Sequence, residues 1–320
     1  METRRDFLKR SVKAGVGAAA FGGAAFWLKS RDKFPEKKRS DLAIKDFSMG
    51  LDEYREKMVI GKGDSPYNVT KAVIEEFGGM GNFVKQGEIV LIKPNVGWDR
   101  TPQQAANTNP EVVKALVELC KNAGAKEVIV TDVSCNDARR CFRRSQIAKM
   151  AEDAGAKVML PNDSKFVKVN LKGEVLGEWP VFEPFTLADK VINVPAVKHH
   201  NLAKATLGMK NWYGMLGGRR DQLHQSLDIG IADLASAVRP TLTVLDGYRV
   251  LFNNGPTGGS LNDVRLTKTI AVGLDQVALD AFGAELLGVE PERIGYLRIG
   301  NQRGLGKLNY KELKISNINI

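Results

Sequence analysis

Short runs that are apolar on both faces recur along this 320-residue chain and alternate with segments of helical periodicity. The run Glu88–Lys93 ends at a proline, and the run Glu127–Asp132 follows a helical stretch that begins at Asn109 and Pro110 and ends at Gly124. A strand that is apolar on both faces suits a parallel sheet between helices. The pattern therefore predicts an α/β fold with a mostly parallel central sheet covered by helices on both faces.

The same patterns place the other elements. Further strands are predicted at 58–61, 158–160, 190–194, 241–245 and 269–272, and helices at 67–77, 145–154, 205–215, 227–238 and 276–287. Two short strands, 166–171 and 174–178, flank Lys172 and Gly173 and predict an inserted β-hairpin region.

An export signal is predicted at the start of the chain. The pair Arg4-Arg5 precedes Phe-Leu-Lys, and a weakly apolar run rich in Ala and Gly extends from Val12 to Leu28. This pattern is typical of a twin-arginine (Tat) signal, which a receptor reads and which is not a fold element; the alternative is a charged helix start. We therefore predict a signal segment at 1–29, a linker at 30–56 and a single α/β domain at 57–320.

The signal predicts a periplasmic or otherwise exported protein with the Tat translocase as its partner during export. Gly23-Ala24-Ala25 offers small residues for cleavage, whereas Phe26, Trp27 and Leu28 directly after them favour a retained anchor. Release and anchoring both stay open, and a membrane is a partner only if the signal segment is retained.

Positive charge is concentrated in this leader. Residues 1–39 carry eleven basic and four acidic side chains, so they account for +7 of the whole-chain charge of +10. The excess therefore belongs to targeting, and nucleic acid is not an expected partner.

The three cysteines, Cys120, Cys135 and Cys141, have no Cys-x-x-Cys spacing. The chain therefore encodes no iron–sulfur cluster of the ferredoxin type. Cys135 and Cys141 could form one bridge in an oxidising compartment, whereas Cys120 is expected to be a buried apolar residue.

Polar side chains stand where several of the predicted strands end. Lys93 and Asn95 follow one strand, Asp132 ends the next, Lys198 follows a third and Asp246 a fourth. Open α/β sheets collect ligands at the carboxyl ends of their strands. These residues therefore predict one ligand site at that edge.

All three histidines, His199, His200 and His224, fall within one window of 26 residues. Imidazole and carboxylate groups can hold a transition metal, so we predict a metal site formed by these histidines and Asp246. The alternative is that His199 and His200 form a solvated turn and that His224 is a surface residue.

The lysines of the same region support a different ligand. Lys93, Lys198 and Lys210, with Arg219 and Arg220, supply positive charge. The loop from Gly255 to Gly259 would let backbone amides approach a phosphate or carboxylate. Gly255 and Gly258 are therefore predicted to bind ligand. Neither a Walker motif nor a dinucleotide fingerprint nor a Gly-x-Ser-x-Gly elbow occurs.

Two aspartates near the C-terminal helix have different predicted roles. Asp275 is placed to cap the helix that follows it. Asp280 lies within an apolar stretch, where an unpaired carboxylate would be costly, and is expected to form a salt bridge with a basic residue at the site rim.

The order of these short motifs resembles that of the domain of unknown function 362 (DUF362) family over residues 58–306. The motifs are Lys93-Pro94-Asn95, Thr108-Asn109-Pro110, Gly124-Ala125, Asp132, the run 193–200, Met209-Lys210-Asn211, His224, Asp246-Gly247, Gly255-Pro256 and the run 275–280. The resemblance implies an α/β protein from a family in which several members carry twin-arginine leaders or a ferredoxin-type module. It also implies ligand contact at Lys93, Asn95, Lys198, His200, Lys210, Asn211 and His224.

Together these observations predict an exported enzyme-like domain, associated with redox metabolism, that binds a divalent metal or a small anionic ligand. The predicted catalytic residues are Lys93, His200, Lys210 and His224, and the predicted ligand-binding residues are Asn95, Asp132, Lys198, Asn211, Gly255 and Gly258. The alternative is a non-catalytic binding or maturation partner of an exported redox protein, which predicts an exposed apolar patch and no closed pocket.

Overall fold

The computed structural model describes residues 43–50 and 52–320, which belong to one compact unit, Arg39–Ile320. The predicted signal segment and the linker up to residue 42 lie outside the described residues. The helices are α1 Asp52–Arg55, α2 Pro66–Glu76, α3 Pro110–Asn122, α4 Ala138–Arg144, α5 Ile147–Asp153, α6 Pro184–Leu187, α7 Gly208–Asn211, α8 Leu227–Ala237, α9 Gln276–Leu286 and α10 Gly295–Gln302. The strands are β1 Lys57–Lys62, β2 Ile89–Pro94, β3 Glu127–Val130, β4 Lys157–Val158, β5 Phe166–Asn170, β6 Glu178–Phe182, β7 Lys190–Val194, β8 Ala196–His200, β9 Lys204–Thr206, β10 Leu242–Leu251, β11 Val264–Gly273 and β12 Lys314–Asn319.

Ten of the described strands form one sheet in the order β12-β1-β11-β10-β7-β2-β3-β4, to which β8 and β9 add beside β10. Most neighbouring strands are parallel, while β11 runs antiparallel to β1 and β10, and β9 runs antiparallel to β8. The predicted mostly parallel central sheet is confirmed.

Helices cover both faces of this sheet, as predicted. Leu91 of β2 packs in a core cluster with residues of α8 and α9, whereas its neighbours Val90 and Ile92 pack with residues of α2 and α3. Successive side chains of a strand point to opposite faces, so β2 is buried from both sides. All three residues are fully buried.

The predicted helix caps form as expected. The Asn109 side chain accepts from the backbone N–H of Glu111 at the start of α3, and the Asp275 side chain accepts from that of Ala278 in α9. These contacts satisfy amides that have no partner inside the helix. Capping is local in sequence, which is why the sequence predicts it well.

The domain begins earlier than the predicted boundary at residue 57. Phe47 is buried, its N–H donates to the carbonyl of Arg239, and its carbonyl accepts from the Thr241 hydroxyl. Residues 43–50 therefore pack on the domain and are not linker.

The hairpin pairs β5 with β6, so its second strand begins at Glu178 and not at residue 174. The Asp233 carboxylate of α8 accepts from the N–H groups of Val175 and Leu176. This distant side chain holds residues 171–177 as a loop, which local sequence patterns do not reveal.

One predicted helix is divided, and another is confirmed. The predicted helix at 205–215 consists of β9, α7 and a 3-10 turn at Trp212–Met215, whereas the one at 145–154 is confirmed as α5, and α4 precedes it as a helix that was not predicted. Asp280 explains the division, because its carboxylate accepts from the N–H groups of Gly208 and Met209 and starts a new helix there. Among the described helices, none combines the length and hydrophobicity that crossing a bilayer requires.

Candidate functional site

A cavity of about 540 Å³ lies at the carboxyl ends of β2 and β3. Eight of the predicted site residues line it, namely Lys93, Asn95, Asp132, Lys198, His200, Lys210, Asn211 and His224. They come from separate strands and turns that the parallel sheet brings to one edge. The structure therefore assembles most of the predicted site.

An ion pair between Lys93 and Asp132 forms the floor of the cavity. The Lys93 Nζ lies 2.7 Å from Asp132 Oδ1, and both side chains are buried. Burial lowers the pKa of Lys93, and the Asp132 carboxylate opposes that shift. Asp132 Oδ2 also accepts from the backbone N–H of Val96 at 2.6 Å. Asp132 was predicted to bind ligand, but both of its carboxylate oxygens already contact protein groups, Lys93 and the backbone N–H of Val96.

Gly214 makes room for this pair. A Cβ atom on Gly214 would lie 1.7 Å from Asp132 Oδ1 and 2.6 Å from Lys93 Nζ. Any larger residue would therefore have to displace the ion pair.

Asparagine side chains connect the lysines. Asn211 Oδ1 accepts from Lys93 Nζ at 2.8 Å and from Asn95 Nδ2 at 3.0 Å. Asn95 Oδ1 in turn accepts from Lys198 Nζ at 2.8 Å. Each amide uses its donor and its acceptor, so the network fixes the orientation of both amides.

The other two lysines carry no carboxylate partner among the described residues. Burial, together with Lys210, lowers the pKa of Lys198 to about 7, while Cys135 opposes the shift. Burial, together with Arg220, lowers the pKa of Lys210 to about 8, again against Cys135. Both amines thus have access to the neutral form near neutral pH.

His200 and His224 both line the cavity, one as a hydrogen-bond donor and the other as a hydrogen-bond acceptor. His200 Nδ1 accepts from the backbone N–H groups of Leu202 and Ala203, each at 3.2 Å, so the neutral ring carries its proton on Nε2. Burial, then Lys210 and Lys198, lower the pKa of His200 to about 3. His200 is therefore a neutral hydrogen-bond donor.

His224 has the other tautomer. Its Nδ1 lies 3.0 Å from the carbonyl oxygen of Asp221, which can only accept, so Nδ1 carries the proton. The Nε2 lone pair has no hydrogen-bond partner in the described part of the chain, and the side chain is exposed at the cavity. His224 can therefore accept a proton from a ligand.

The structure does not bring all four of the predicted metal ligands together in this cavity. His199 does not line this cavity but a separate one of about 360 Å³, and Asp246 lies below the surface, where its oxygens accept from the N–H groups of Asn109 and Tyr248. His199 and His200 are consecutive residues of β8, so their side chains diverge. His200 offers a protonated nitrogen rather than a lone pair. Within residues 43–50 and 52–320, no three metal-ligating side chains of the His, Cys, Asp and Glu types come together.

The predicted ligand-binding glycines have structural roles. A Cβ atom on Gly255 would lie 2.0 Å from the carbonyl oxygen of His199, and Gly258 has a φ of 55° and packs against Leu251. The residues between them, Pro256 and Thr257, line the cavity instead.

Among the described residues, no basic side chain forms a salt bridge with Asp280, contrary to the prediction. Burial raises its pKa to about 8, and the backbone N–H groups of Gly208 and Met209 satisfy its oxygens. It supports the site indirectly, because α7 carries Lys210 and Asn211.

Of the two arginines expected to supply positive charge for an anion, Arg220 lines the cavity and donates to the carbonyl oxygens of Val133 and Ser134. Cys135 also lines the cavity, and sequence reasoning did not predict it as a residue of the cavity wall. Its thiol is free in the structure, as is that of Cys141, so the two cysteines do not form a disulfide bridge there. The sequence signal for this position was that Cys135 lies three residues after Asp132, directly beyond the end of a predicted strand. Cys120 is buried, as predicted.

Comparison with known proteins identifies the family. A family model described as a domain of unknown function (DUF362) matches residues 90–285. The chain is 29% identical over 251 residues to a thylakoid-associated protein of Synechocystis sp., which covers 73% of this chain and 74% of that protein. A lactate racemase apoprotein from Thermoanaerobacterium thermosaccharolyticum superposes with a TM-score of 0.40 and 13% identity, and the match covers 74% of this chain and 58% of the racemase chain. That likeness is too weak to carry any inference about chemistry. Because the DUF362 model spans more than half of the 320 residues, this protein belongs to the DUF362 family.

Proposed function

We propose that this protein is an exported, enzyme-like domain that binds a small organic anion in the cavity at the carboxyl ends of β2 and β3. One observation carries the proposal: Lys198, Lys210 and Arg220 line the same cavity without a carboxylate partner among the described residues. A bound carboxylate or phosphate would supply the missing negative charge.

Unpartnered hydroxyl groups in the same wall support this proposal. The hydroxyl of Thr206 is buried and, within the described part of the chain, has no hydrogen-bond partner; the same is true of Tyr213. Both residues line the cavity. Since buried polar groups are nearly always hydrogen-bonded, a ligand atom is the natural partner for them.

The shape of the site favours ligand binding over the alternative of a non-catalytic partner protein. That alternative predicts an exposed apolar patch, whereas the polar groups here converge on a concave space. The association with redox metabolism stays a prediction.

Binding is tested by thermal unfolding of the purified protein in the presence of sulfate, phosphate, acetate, pyruvate and citrate. We expect at least one of these anions to raise the melting temperature, and the rise to grow with the logarithm of the anion concentration above its Kd. Lys198→Met and Lys210→Met should abolish the rise, and Lys149→Met should keep it, because Lys149 is an exposed residue of α5. Equal stabilisation of all three variants, or none of the wild type, would refute the proposal.

Export is the second part of the proposal, and the pair Arg4-Arg5 with the following Phe7-Leu8-Lys9 supports it. Replacing both arginines by lysine should retain the protein in the cytoplasm, and Arg10→Lys should not. Cell fractionation of a bacterium with an active twin-arginine pathway measures this, and unchanged export of the double variant would contradict it.

A further inference from the structure

The three lysines of the cavity differ in what holds their amines. The Lys93 Nζ is paired with Asp132, and the Lys198 Nζ donates to the carbonyl oxygen of Ala106 at 2.6 Å. The Lys210 Nζ has no hydrogen bond and no ion pair within the described residues. Lys210 is therefore the one amine of the three that is free to react.

Lys210 is nevertheless buried, with 8% of its surface exposed. Its Nζ lies 4.7 Å from the centre of the Tyr213 ring, which forms one wall of the cavity. Burial and the neighbouring Arg220 cation reduce the preference of this amine for the charged form, while the face of the Tyr213 ring, which attracts a cation, opposes that effect. An ordinary lysine is about 0.03% neutral at pH 7, whereas a pKa of about 8 makes Lys210 about 10% neutral, roughly 300-fold more.

We infer that Lys210 is a nucleophile that forms an imine with a ligand bearing both a carbonyl and a carboxylate, that is, an oxo acid. This inference rests on the anion site proposed above. The Lys198 and Arg220 side chains would hold the carboxylate, and Lys210 would meet the carbonyl carbon.

The chemistry balances without any oxidant or reductant. The Lys210 nitrogen forms a bond to the carbonyl carbon, and the oxygen takes up a proton to give a carbinolamine. The nitrogen then loses a proton, and the hydroxyl takes up a second proton. The carbon–oxygen bond breaks, water leaves as the carbon–nitrogen double bond forms, and loss of the remaining N–H proton gives the neutral imine. The net change is amine plus carbonyl to imine plus water.

Two other side chains fit the proton movements of this step. The free Nε2 lone pair of His224 can accept the proton that the amine releases. The Nε2–H of His200 can donate a hydrogen bond to the carbonyl oxygen, and its neutral state is favoured by burial.

The experiment traps the imine on the full chain. The protein is incubated with pyruvate or phenylpyruvate and sodium cyanoborohydride, and intact mass and peptide mapping locate the reduced adduct. We expect one adduct per chain, on Lys210. Lys210→Arg and Lys210→Met should both lose it, with folding checked by circular dichroism, and Lys149→Arg should keep it.

Calorimetric titration with the same oxo acids, without reductant, separates the two proposals. Binding without any adduct on Lys210 would overturn this inference and leave the anion site standing. An adduct on Lys198, or equal labelling of surface lysines, would also overturn it. If neither binding nor adduct occurs with any anion tested, both proposals fail.

Discussion

Removing Asp132 should destabilise the protein strongly, and the loss should depend on pH. In Asp132→Ala, the Lys93 amine stays fully buried without its counterion. The variant should then fold with the Lys93 amine in its neutral form, because an uncompensated charge in the core is more costly than deprotonation of the amine.

The magnitude follows from the ordinary pKa of lysine. Neutralising a group of pKa 10.5 at pH 7 costs roughly 5 kcal/mol, at about 1.4 kcal/mol per pH unit. This agrees with the ~3–5 kcal/mol typical of breaking one side of a buried ion pair. The N–H of Val96, which loses its acceptor, adds about 1–3 kcal/mol.

The sign of the pH dependence is definite. In the variant, the unfolded chain binds a proton at Lys93 that the folded chain does not, so the stability of the variant rises with pH relative to the wild type. The difference in free energy of unfolding should therefore shrink between pH 7 and pH 9, by at most roughly 3 kcal/mol, since burial also lowers the pKa of Lys93 in the wild type.

Urea unfolding followed by circular dichroism at both pH values measures this. Adding Lys93→Met to the variant should restore most of the loss, since both charges are then absent. Asp153→Ala is the matched control, because Asp153 pairs with Lys149 on the surface and should cost less than about 1 kcal/mol. The reasoning is refuted if Asp132→Ala resembles this control, if its cost does not change with pH, or if Lys93→Met adds to the damage.

Three further predictions concern the surroundings of the cavity. The affinity for sulfate, measured by calorimetry at constant ionic strength, should fall as pH rises from 6 to 9, because the anion prefers the charged forms of Lys198 and Lys210, whose pKa values are about 7 and about 8; a rise would contradict it. Asp280→Ala should destabilise the protein by about 2–4 kcal/mol at pH 5, since two buried N–H groups lose their acceptor. Its cost should shrink toward pH 8, because between the ordinary carboxyl pKa of 3.8 and the raised pKa of about 8 the unfolded chain is ionised while the folded chain keeps its proton, so the stability of the wild type falls as pH rises; a constant cost in urea titrations would argue against this. Gly214→Ala should cost at least about 3 kcal/mol by displacing the ion pair, whereas Gly177→Ala, where a Cβ meets nothing within 4 Å, should be near neutral; equal melting temperatures would disprove the steric argument.

Much of the fold could be predicted because its signals are local. The apolar run of β2 and the caps at Asn109 and Asp275 depend on neighbouring residues only. The hairpin boundary could not be predicted, since Asp233, 58 residues from Val175, holds that loop.

The candidate site was predicted in part for a similar reason. Polar residues after strands meet at one edge of a parallel sheet, so Lys93 and Asp132 could be placed together. The predicted metal ligands were grouped partly by their closeness in sequence, whereas the structure places His199 and Asp246 apart from His200 and His224. His199 and His200 are adjacent in strand β8. Because successive side chains of a strand point to opposite faces, the two imidazole rings lie apart.

By itself, the sequence determined the α/β architecture, the family and the edge of the sheet at which charged side chains gather, since periodicity and strand-end residues are written in the chain order. Only the tertiary structure decided which amine has a partner. Asp132, Asn95 and Asn211 reach Lys93 and Lys198 from distant segments, and no such group reaches Lys210 within the described residues. The chemistry of a lysine depends on burial and neighbouring charge, and both arise when the chain has folded.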